Sequence, residues 1–186
     1  MANSRLAESY LQKLVDYLFR QKIIKKKEIE KAFRKVRRDI FLPNFPLKEV
    51  CTDASIITKS AGITPLSSST SPSLMASMLE ILDLKPGHKV LEIGTGTGYN
   101  AAILAEITGD QKNVSSLDID QETVSEAINN LNKAGYHDLH LLCRDANLGW
   151  PGKIKFDRII FTASVKKIPQ KVIDQLKIGG VVVLPL

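Results

Sequence analysis

The stretch Lys89-Val90-Leu91-Glu92-Ile93-Gly94-Thr95-Gly96-Thr97-Gly98-Tyr99-Asn100 indicates the fold class of this chain. Its apolar start is typical of a short buried strand, and its three alternating glycines lead into a helical pattern over residues 101–105. Strand, tight glycine turn and helix form the first unit of a nucleotide-type α/β domain, in which the backbone approaches a ligand closely. A dinucleotide fingerprint would have its third glycine at position 99, which is Tyr, so the spacing disfavours NAD.

Length and composition are those of a globular protein that buries a real core. The 186 residues are 44% apolar and 25% charged, which suits one domain with a short appendage. No apolar run approaches the roughly 18 residues that span a membrane, and residues 1–8 lack the apolar core of a signal peptide. Cys51 and Cys143 do not indicate a disulfide framework. We therefore expect a cytoplasmic protein.

Positive charge is concentrated near the N-terminus. Residues 1–50 hold 13 Lys and Arg against 6 Asp and Glu, whereas the rest of the chain holds 13 against 14. A basic segment of this kind attracts nucleic acid or an acidic partner. The segment has few aromatic residues that could stack on bases, so a solvated helix face is the favoured interpretation.

The first 43 residues have helical periodicity. Apolar residues between Leu6 and Leu18 recur every three or four positions, and a second, shorter helix is predicted between Ile29 and Val36. Such stripes must pack on the rest of the protein. Residues 43–73 are predicted to be an extended, loop-rich connection that closes on the serine run Ser67–Ser73.

The serine run precedes a strongly patterned helix that starts near Leu74. Taken alone, the run is interpreted as a flexible linker or a helix cap, in preference to a ligand contact. Hydroxyl groups massed at a helix N-terminus are nevertheless well suited to holding a carboxylate.

After the glycine turn, apolar runs and helical patterns alternate along the chain. The predicted helices are Thr123–Leu131 and Pro169–Leu176, and Gly179-Gly180 is expected to end the second. Four further strands are predicted, at Val114–Ile119, Leu139–Cys143, Asp157–Phe161 and Gly180–Leu184. This alternation predicts an α/β fold with a doubly wound, mostly parallel Rossmann-like sheet and helices on both faces.

Acidic and polar residues follow three of these strands, where ligands bind in such sheets. Asp118 closes the second strand. Its distance in sequence from the glycines is the one at which a carboxylate usually binds ribose hydroxyls, and Asp120 is the alternative candidate for this contact. Asp145 follows the third strand with Ala146 beside it, placed for an adenine amino group, and Thr162 follows the fourth. One such residue alone is typical of a turn. Three of them in register with the glycine turn predict a nucleoside pocket.

Several stretches together carry a resemblance to a known family. They are Val36–Pro43, Thr70–Pro72, Val90–Asn100, Asp145–Trp150 and Asp174–Gly180. Residues 79–186 resemble class I S-adenosylmethionine-dependent methyltransferases, and residues 30–186 more narrowly resemble the protein-L-isoaspartate O-methyltransferase family. The glycine turn is shared by the superfamily, whereas the spacing from Pro72 to that turn and the closing Asp-Gln-Leu-Lys-x-Gly-Gly stretch resemble the narrower family.

The resemblance implies an enzyme that uses S-adenosylmethionine to esterify the carboxylate of an isoaspartyl residue in a protein or peptide. The ester then cyclises to a succinimide. Because a carboxylate is already ionised at neutral pH, the site needs hydroxyl and N–H groups that hold it in line, and no general base or metal. Thr70 is similar to the family's substrate-loop serine, so Thr70 and Ser71 are the predicted catalytic residues. The predicted cofactor contacts are Ser68, Thr70, Glu92, Gly94, Thr95, Gly96, Gly98, Asp118, Ile119, Asp145, Ala146 and Thr162.

Other functions stay open at this point. Where the family reads Thr-Ile-Ser, this chain reads Ser68-Ser69-Thr70, which resembles a divergent branch that methylates side-chain Asp in ribosomally made peptides. The basic segment suggests a nucleic-acid methyltransferase, although Thr162-Ala163-Ser164-Val165 is unlike the Asn-Pro-Pro-Tyr stretch of base amino methylation. A non-catalytic cofactor-binding module is a further alternative.

The resemblance also predicts the domain organisation. We expect an N-terminal helical extension (1–43), a loop-rich lid over substrate and cofactor (44–78), and a methyltransferase domain (79–186). The chain ends at Leu184-Pro185-Leu186, after the fifth strand, whereas the superfamily's sheet continues with two more strands. We therefore expect the C-terminal strands to be missing, and the apolar edge of the fifth strand to be able to pair with a second copy.

Overall fold

The computed structural model describes residues 2–185, which form seven helices and seven strands. The helices are α1 (Ala2–Arg20), α2 (Lys27–Lys35), α3 (Leu47–Val50), α4 (Pro72–Leu82), α5 (Tyr99–Thr108), α6 (Gln121–Lys133) and α7 (Gln170–Ile173). The strands are β1 (Ile56–Ala61), β2 (Thr64–Ser69), β3 (Val90–Ile93), β4 (Val114–Asp118), β5 (His140–Cys143), β6 (Phe156–Phe161) and β7 (Leu176–Val183).

The main sheet has the order β5-β4-β3-β6-β7, and every neighbouring pair in it is parallel. Its central strand, β3, is buried along its whole length. β4 and β6 lie on opposite sides of β3, so the direction of strand order reverses at β3. A crevice opens there, at the carboxyl ends of these three strands. The prediction of a mostly parallel α/β sheet is confirmed.

The two faces of the sheet are covered differently. On one face, Val90, Val114 and Ile160 share a large hydrophobic cluster with helices α1, α2, α4 and α5. On the other face, a smaller cluster lies beneath the short helix α7, where Trp150 meets Phe156 edge-on at 6.5 Å between ring centroids. Gln175 fixes the Trp150 backbone by accepting from its N–H (2.8 Å) and donating to its carbonyl (2.7 Å).

The N-terminal helices belong to the main core, because Leu18 and Phe33 are buried in the same cluster as α5. Four cations of the basic segment form ion pairs within the protein. Their ion pairs are Lys26–Asp83 (2.7 Å), Arg34–Asp16 (2.7 Å), Arg34–Glu30 (2.9 Å), Lys35–Glu106 (2.9 Å) and Arg37–Asp39 (2.5 Å). This pairing favours the interpretation of the segment as a solvated helix face.

The prediction of a loop-rich connection over residues 43–73 is wrong for half of that segment. Residues 56–69 form the antiparallel hairpin β1–β2, and Ser68 lies opposite Ile57 in its register. Serine and threonine give no clear alternation of apolar and polar residues, so the pattern that identifies a strand is missing here. The linker interpretation of the serine run is also wrong, since Ser67–Ser69 belong to β2 and Ser71 precedes α4 without a side-chain cap bond.

The predicted helix Pro169–Leu176 is only one turn long. It ends at Ile173, and β7 begins at Leu176 instead of at Gly180. Gly179 and Gly180 lie within β7, where Phe156 pairs with Leu176 but Arg158 already pairs with Val181. The extra residues form an irregularity in the strand, and Gly179 has a φ of 77°, so the glycines permit a bulge here and do not end the helix.

Candidate active site

A cavity of about 380 Å³ opens at the carboxyl ends of β3, β4 and β6. Residues from four strand ends line it: Gly94 after β3, Asp118 and Ile119 at β4, Asp145 after β5, and the segment 163–167 after β6. Parallel strands bring their carboxyl ends to one edge of the sheet, so residues far apart in sequence meet around one volume. Of the predicted cofactor contacts, Gly94, Asp118, Ile119, Asp145 and Ala146 line this cavity.

The three glycines of the turn have different surroundings. All have positive φ: 105° at Gly94, 52° at Gly96 and 87° at Gly98. A Cβ atom on Gly94 would lie 2.7 Å from Thr162 Oγ1, and one on Gly98 would lie 3.2 Å from Leu131 Cγ. A Cβ atom on Gly96 would meet nothing within 4 Å. Gly94 and Gly98 therefore permit close packing within the protein, whereas Gly96 leaves its backbone open to a ligand.

Glu92 and Thr95 lie beneath the turn and outside the lining of the cavity. Glu92 is fully buried, where it accepts from Asn100 Nδ2 (2.8 Å) and from Ser116 Oγ (2.6 Å). Ser116 Oγ is also hydrogen-bonded to Thr95 Oγ1 at 2.7 Å. Burial raises the pKa of Glu92 to about 7, although both hydrogen bonds oppose the shift. This polar network joins β3, β4 and α5 directly behind the glycine turn.

Asp118 and Asp120 have separate roles in this geometry. Asp118 lines the cavity and accepts from the backbone N–H groups of Gly96 (3.1 Å) and Asp120 (3.2 Å). Asp120 caps α6 by accepting from the Thr123 N–H (3.1 Å), and it pairs with Lys59 Nζ (2.8 Å). Hydrogen bonds from Lys59 and Thr123 lower the pKa of Asp120 to about 2. The geometry favours Asp118 over Asp120 for a ribose contact.

Asp145 begins a single 3-10 turn at the far side of the cavity. Its Oδ1 accepts from both the N–H (2.8 Å) and the side-chain amide (3.0 Å) of Asn147, which leaves Oδ2 outside these two bonds. Ile119 is 75% exposed at the cavity wall. An exposed aliphatic side chain is suited to packing against the face of a base. The two carboxylates beside it can accept hydrogen bonds from the polar groups of the ligand.

Thr162 fixes the neighbouring backbone from just outside the cavity lining. Its hydroxyl donates to the carbonyls of Ile93 (3.1 Å) and Gly94. The segment that follows, Ala163–Lys167, does line the cavity, and so does Arg144, whose Nε donates to the Gly149 carbonyl (2.8 Å). The sequence interpretation missed this segment and Arg144. The strand-end rule that identified Thr162 and Asp145 finds both when it is applied to every residue after a strand, because Arg144 directly follows β5 and Ala163–Lys167 follow Thr162.

The predicted catalytic residues Thr70 and Ser71 follow the hairpin β1–β2, and Ser68, a predicted cofactor contact, lies within β2. Thr70 and Ser71 are half-buried in the turn between β2 and α4, and Ser68 is exposed; none of the three lines the 380 Å³ cavity. A second cavity of about 190 Å³ separates the hairpin from the glycine turn, and there Ser67 and Lys59 face Gly96 and Thr97. At the start of α4, the Ser71 N–H donates to Ser55 Oγ (3.0 Å) and the Ser73 N–H to Asp53 Oδ1 (2.8 Å).

No helix within residues 2–185 is long and apolar enough to cross a membrane. The same residues contain no group of three or more His, Cys, Asp or Glu side chains placed to hold a metal ion.

Comparison with known proteins links this geometry to a family. A family model described as Protein-L-isoaspartate(D-aspartate) O-methyltransferase matches residues 9–186. The protein-L-isoaspartate O-methyltransferase of Ignicoccus hospitalis is 34% identical over 179 residues, covering 96% of this chain and 82% of the relative. The enzyme of the same name from Pyrococcus horikoshii is 39% identical over 176 residues, covering 94% of this chain and 76% of the relative.

Solved structures agree with the sequence comparisons. A structure named protein-L-isoaspartate O-methyltransferase superposes with a TM-score of 0.84 at 33% identity, covering 94% of this chain and 54% of that one. This chain therefore spans about half the length of that solved chain. A putative protein-L-isoaspartate O-methyltransferase from Plasmodium falciparum, solved in complex with S-adenosyl-L-homocysteine, has a TM-score of 0.80 at 20% identity, which supports the fold.

Proposed function

Because the chain belongs to the protein-L-isoaspartate(D-aspartate) O-methyltransferase family, we propose that it methylates isoaspartyl carboxylates of proteins or peptides with S-adenosylmethionine. When bound, this cofactor supplies a methyl group on a positively charged sulfur, and its transfer to a carboxylate oxygen gives an ester and S-adenosylhomocysteine with no proton to move. The protein's task is therefore to bind both partners in line and to exclude water.

The observation that carries the proposal is the cavity at the strand ends. A cavity of about 380 Å³ with a carboxylate at each of two strand ends, Asp118 and Asp145, suits a nucleoside with ribose hydroxyls and an exocyclic amine. The open side of Gly96 allows a ligand to approach the backbone next to Asp118. Asp118 would hold the ribose, Asp145 and Ala146 the adenine edge, and Ile119 the face of the base.

The substrate carboxylate is proposed to bind at the Thr70–Ser71 turn. The hydroxyls of these two residues stand at the start of α4, whose dipole favours an anion. The N–H groups of Ser71 and Ser73 already bond to Ser55 and Asp53, so the hydroxyls are the better donors to an incoming carboxylate. The smaller cavity lies between the hairpin and the glycine turn, where Ser67 and Lys59 face Gly96 and Thr97.

A tritiated-methyl assay tests this function. Purified protein would be offered an isoaspartyl peptide, the matching peptide with normal Asp, and RNA, with S-adenosylmethionine in excess, and cofactor binding would be measured in parallel by calorimetry. We expect binding of S-adenosylhomocysteine and methyl incorporation into the isoaspartyl peptide alone. Cofactor binding without incorporation into that peptide would contradict the repair function.

The Asp peptide in this assay addresses the second candidate. The serine-rich hairpin strand with Ser67–Ser69 is the feature that favours a side-chain Asp of a peptide precursor as the substrate. The chemistry is the same, since either substrate offers an ionised carboxylate. Preferential labelling of the Asp peptide would therefore change the substrate and leave the cofactor site as proposed.

Two wider expectations belong with this proposal. The first is a cytoplasmic location, where the cofactor and damaged proteins are at hand. The second is self-association through β7, which stands at one edge of the main sheet within residues 2–185 and contributes Val181 and Val182 to the buried clusters. Sedimentation at several protein concentrations would test the second, and a monomer at all of them would contradict it.

A further inference from the structure

We propose that Arg38 is a positioning residue for the substrate carboxylate, which it serves by holding the Thr70–Ser71 turn from inside the protein. The inference rests on the proposed function, which places the substrate at this turn. Arg38 begins the 3-10 turn Arg38–Phe41 and is only 1% exposed. Arginine is rarely buried to this extent unless its guanidinium is paired. The groups that Arg38 contacts therefore indicate its role.

The guanidinium of Arg38 joins the two ends of the hairpin. It donates only to backbone carbonyls and one hydroxyl, some from the segment that leads into β1 and the others from the segment that leaves β2. The acceptors are the carbonyls of Val50 (3.0 Å), Thr52 (3.2 Å), Ala54 (3.1 Å), Ser69 (3.3 Å) and Thr70 (3.1 Å), and Ser69 Oγ (3.3 Å).

The bond to the Thr70 carbonyl is the important one for the site. Thr70 follows β2 and precedes Ser71, the residue before α4. With its carbonyl drawn inward by Arg38, the peptide unit between Thr70 and Ser71 has a fixed orientation. The positions of both proposed substrate hydroxyls depend on that orientation, because each side chain extends from the backbone that Arg38 fixes.

The guanidinium of Arg38 forms no ion pair within the described residues, although the nearby carboxylate of Asp53 acts to raise its pKa. Its neighbours Arg34 and Arg37 each form ion pairs with Asp or Glu, whereas Arg38 forms none in residues 2–185. Burial lowers the pKa of Arg38, yet arginine stays protonated in proteins. A positive charge with few waters around it therefore lies directly behind the turn, and it favours an anion on the other side of that turn.

The same 3-10 turn also packs against the cofactor side, through Phe41. Arg38 Nε and the hydroxyl of Tyr99 are both buried, and neither has a hydrogen-bond partner within residues 2–185. Tyr99 is the first residue of α5, immediately after the glycine turn, and its ring packs against Phe41 at 5.6 Å. The same short segment, 38–41, thus touches the supports of both the substrate turn and the glycine turn.

The test compares Arg38→Met and Arg38→Lys with the control Arg34→Met. Met retains length without charge or donors, and Lys retains charge but cannot reach both ends of the hairpin at once. Arg34→Met removes a guanidinium from the same segment, one whose partners Asp16 and Glu30 are at the surface. The measurements are KM and kcat for an isoaspartyl peptide, the Kd of S-adenosylhomocysteine, and the melting temperature.

We expect Arg38→Met to raise the peptide KM about tenfold, and Arg38→Lys to raise it about threefold, because substrate binding is lost when the turn moves. The cofactor Kd stays within about twofold of wild type in both. Arg34→Met should leave KM and Kd at their wild-type values. A structural defect alone would weaken cofactor binding and peptide binding together, so the split between the two is the decisive readout.

Several results would overturn the inference. One is a folded Arg38→Met variant with the wild-type KM, and another is a loss of cofactor affinity in step with the rise in KM. If Arg38→Met does not fold, Arg38→Lys decides by the same two measurements. If the wild type is active and the Arg38 variants are unaffected, this inference alone is wrong. If the wild type binds S-adenosylhomocysteine but methylates no isoaspartyl peptide, the proposed function is wrong and the inference falls with it.

Discussion

The backbone N–H of Gly96 donates a hydrogen bond to Oδ2 of Asp118 across 3.1 Å. This bond joins the two features from which the cofactor site is built, the glycine turn after β3 and the carboxylate at the end of β4. Neighbouring parallel strands bring the two residues together, since β3 and β4 pair in register from Val90↔Val114 to Ile93↔Leu117. The carboxylate is thereby oriented along the wall of the cavity before a ligand arrives.

Asp118→Ala should weaken cofactor binding without unfolding the protein. We expect the Kd of S-adenosylhomocysteine to rise at least about tenfold, the worth of a charge-assisted hydrogen bond to a hydroxyl. Calorimetry measures this directly. The matched control is Asp120→Ala, which removes a carboxylate two residues away that caps α6 and pairs with Lys59. It should lower the melting temperature and change the Kd little. Equal losses of affinity in the two variants would contradict the assignment.

Thr70→Ala should mainly slow methyl transfer. Loss of one hydroxyl that orients the substrate carboxylate is expected to lower kcat/KM for an isoaspartyl peptide about tenfold to a hundredfold. The Kd of S-adenosylhomocysteine should stay unchanged, because Thr70 does not line the main cavity. Thr64→Ala, at the exposed start of β2, the strand that Thr70 follows, is the control and should keep wild-type kinetics. A fall in cofactor affinity in Thr70→Ala would place this residue on the cofactor side instead.

Gly94→Ala and Gly96→Ala should separate stability from binding. A methyl group at Gly94 would lie 2.7 Å from Thr162 Oγ1 and 2.8 Å from Ala163 N, so we expect a loss of about 2–3 kcal/mol in unfolding free energy. At Gly96 the methyl group meets no protein atom within 4 Å, and the cost is that of a left-handed residue, about 1 kcal/mol. Cofactor binding should nevertheless fall in Gly96→Ala, because the methyl group fills the space left for the ligand. Denaturant unfolding and calorimetry together check both.

Glu92 should make the protein less stable as the pH rises. Its pKa is about 7 in the folded protein, above the ordinary value of 4.5, so the folded state binds the proton more tightly than the unfolded state. The contribution of Glu92 to the free energy of unfolding is therefore complete below about pH 4.5. It falls between pH 4.5 and 7 and is level above that, with a total loss of about 3 kcal/mol.

Denaturant unfolding of wild type and Glu92→Gln at pH 5 and pH 8 measures this effect. Gln has the shape of the protonated acid, so the variant should lose less stability than wild type over this range. Its carbonyl can accept from Asn100, and its amide can donate to Ser116 Oγ. Parallel losses of stability in the two proteins would show that Glu92 is not the titrating group.

The glycine turn and the strand ends could be predicted because both depend on local sequence. The order of apolar runs predicted the parallel sheet, and polar residues at the ends of those runs predicted the positions of Asp118 and Asp145. The hairpin β1–β2 could not be predicted in this way, since its strands contain Ser, Thr, Lys and Pro without a buried alternating face. The hairpin is held by contacts with distant parts of the chain, since Arg38 donates to the Ser69 carbonyl and Lys59 of β1 donates to Asp120.

The interior of the site was harder to predict than its edge. Glu92 was expected to touch the cofactor, and the structure places it fully buried below the turn, because both faces of the central strand β3 are covered. Gly179-Gly180 suggested the end of a helix, yet the pair lies in an irregular part of β7. A glycine pair permits both structures, and only the register with β6 distinguishes them.

The sheet's less covered face also determines how this protein can be observed. Trp150, the single tryptophan of the chain, lies there against Phe156, with its backbone fixed by Gln175. Its fluorescence will therefore follow the opening of that layer during unfolding. The cluster formed by α1, α2, α4 and α5 contains no tryptophan, so Trp150 fluorescence reports on one face of the sheet, whereas far-ultraviolet circular dichroism reports on the secondary structure of the whole chain. Whether the two traces coincide would reveal if the layers melt as one unit.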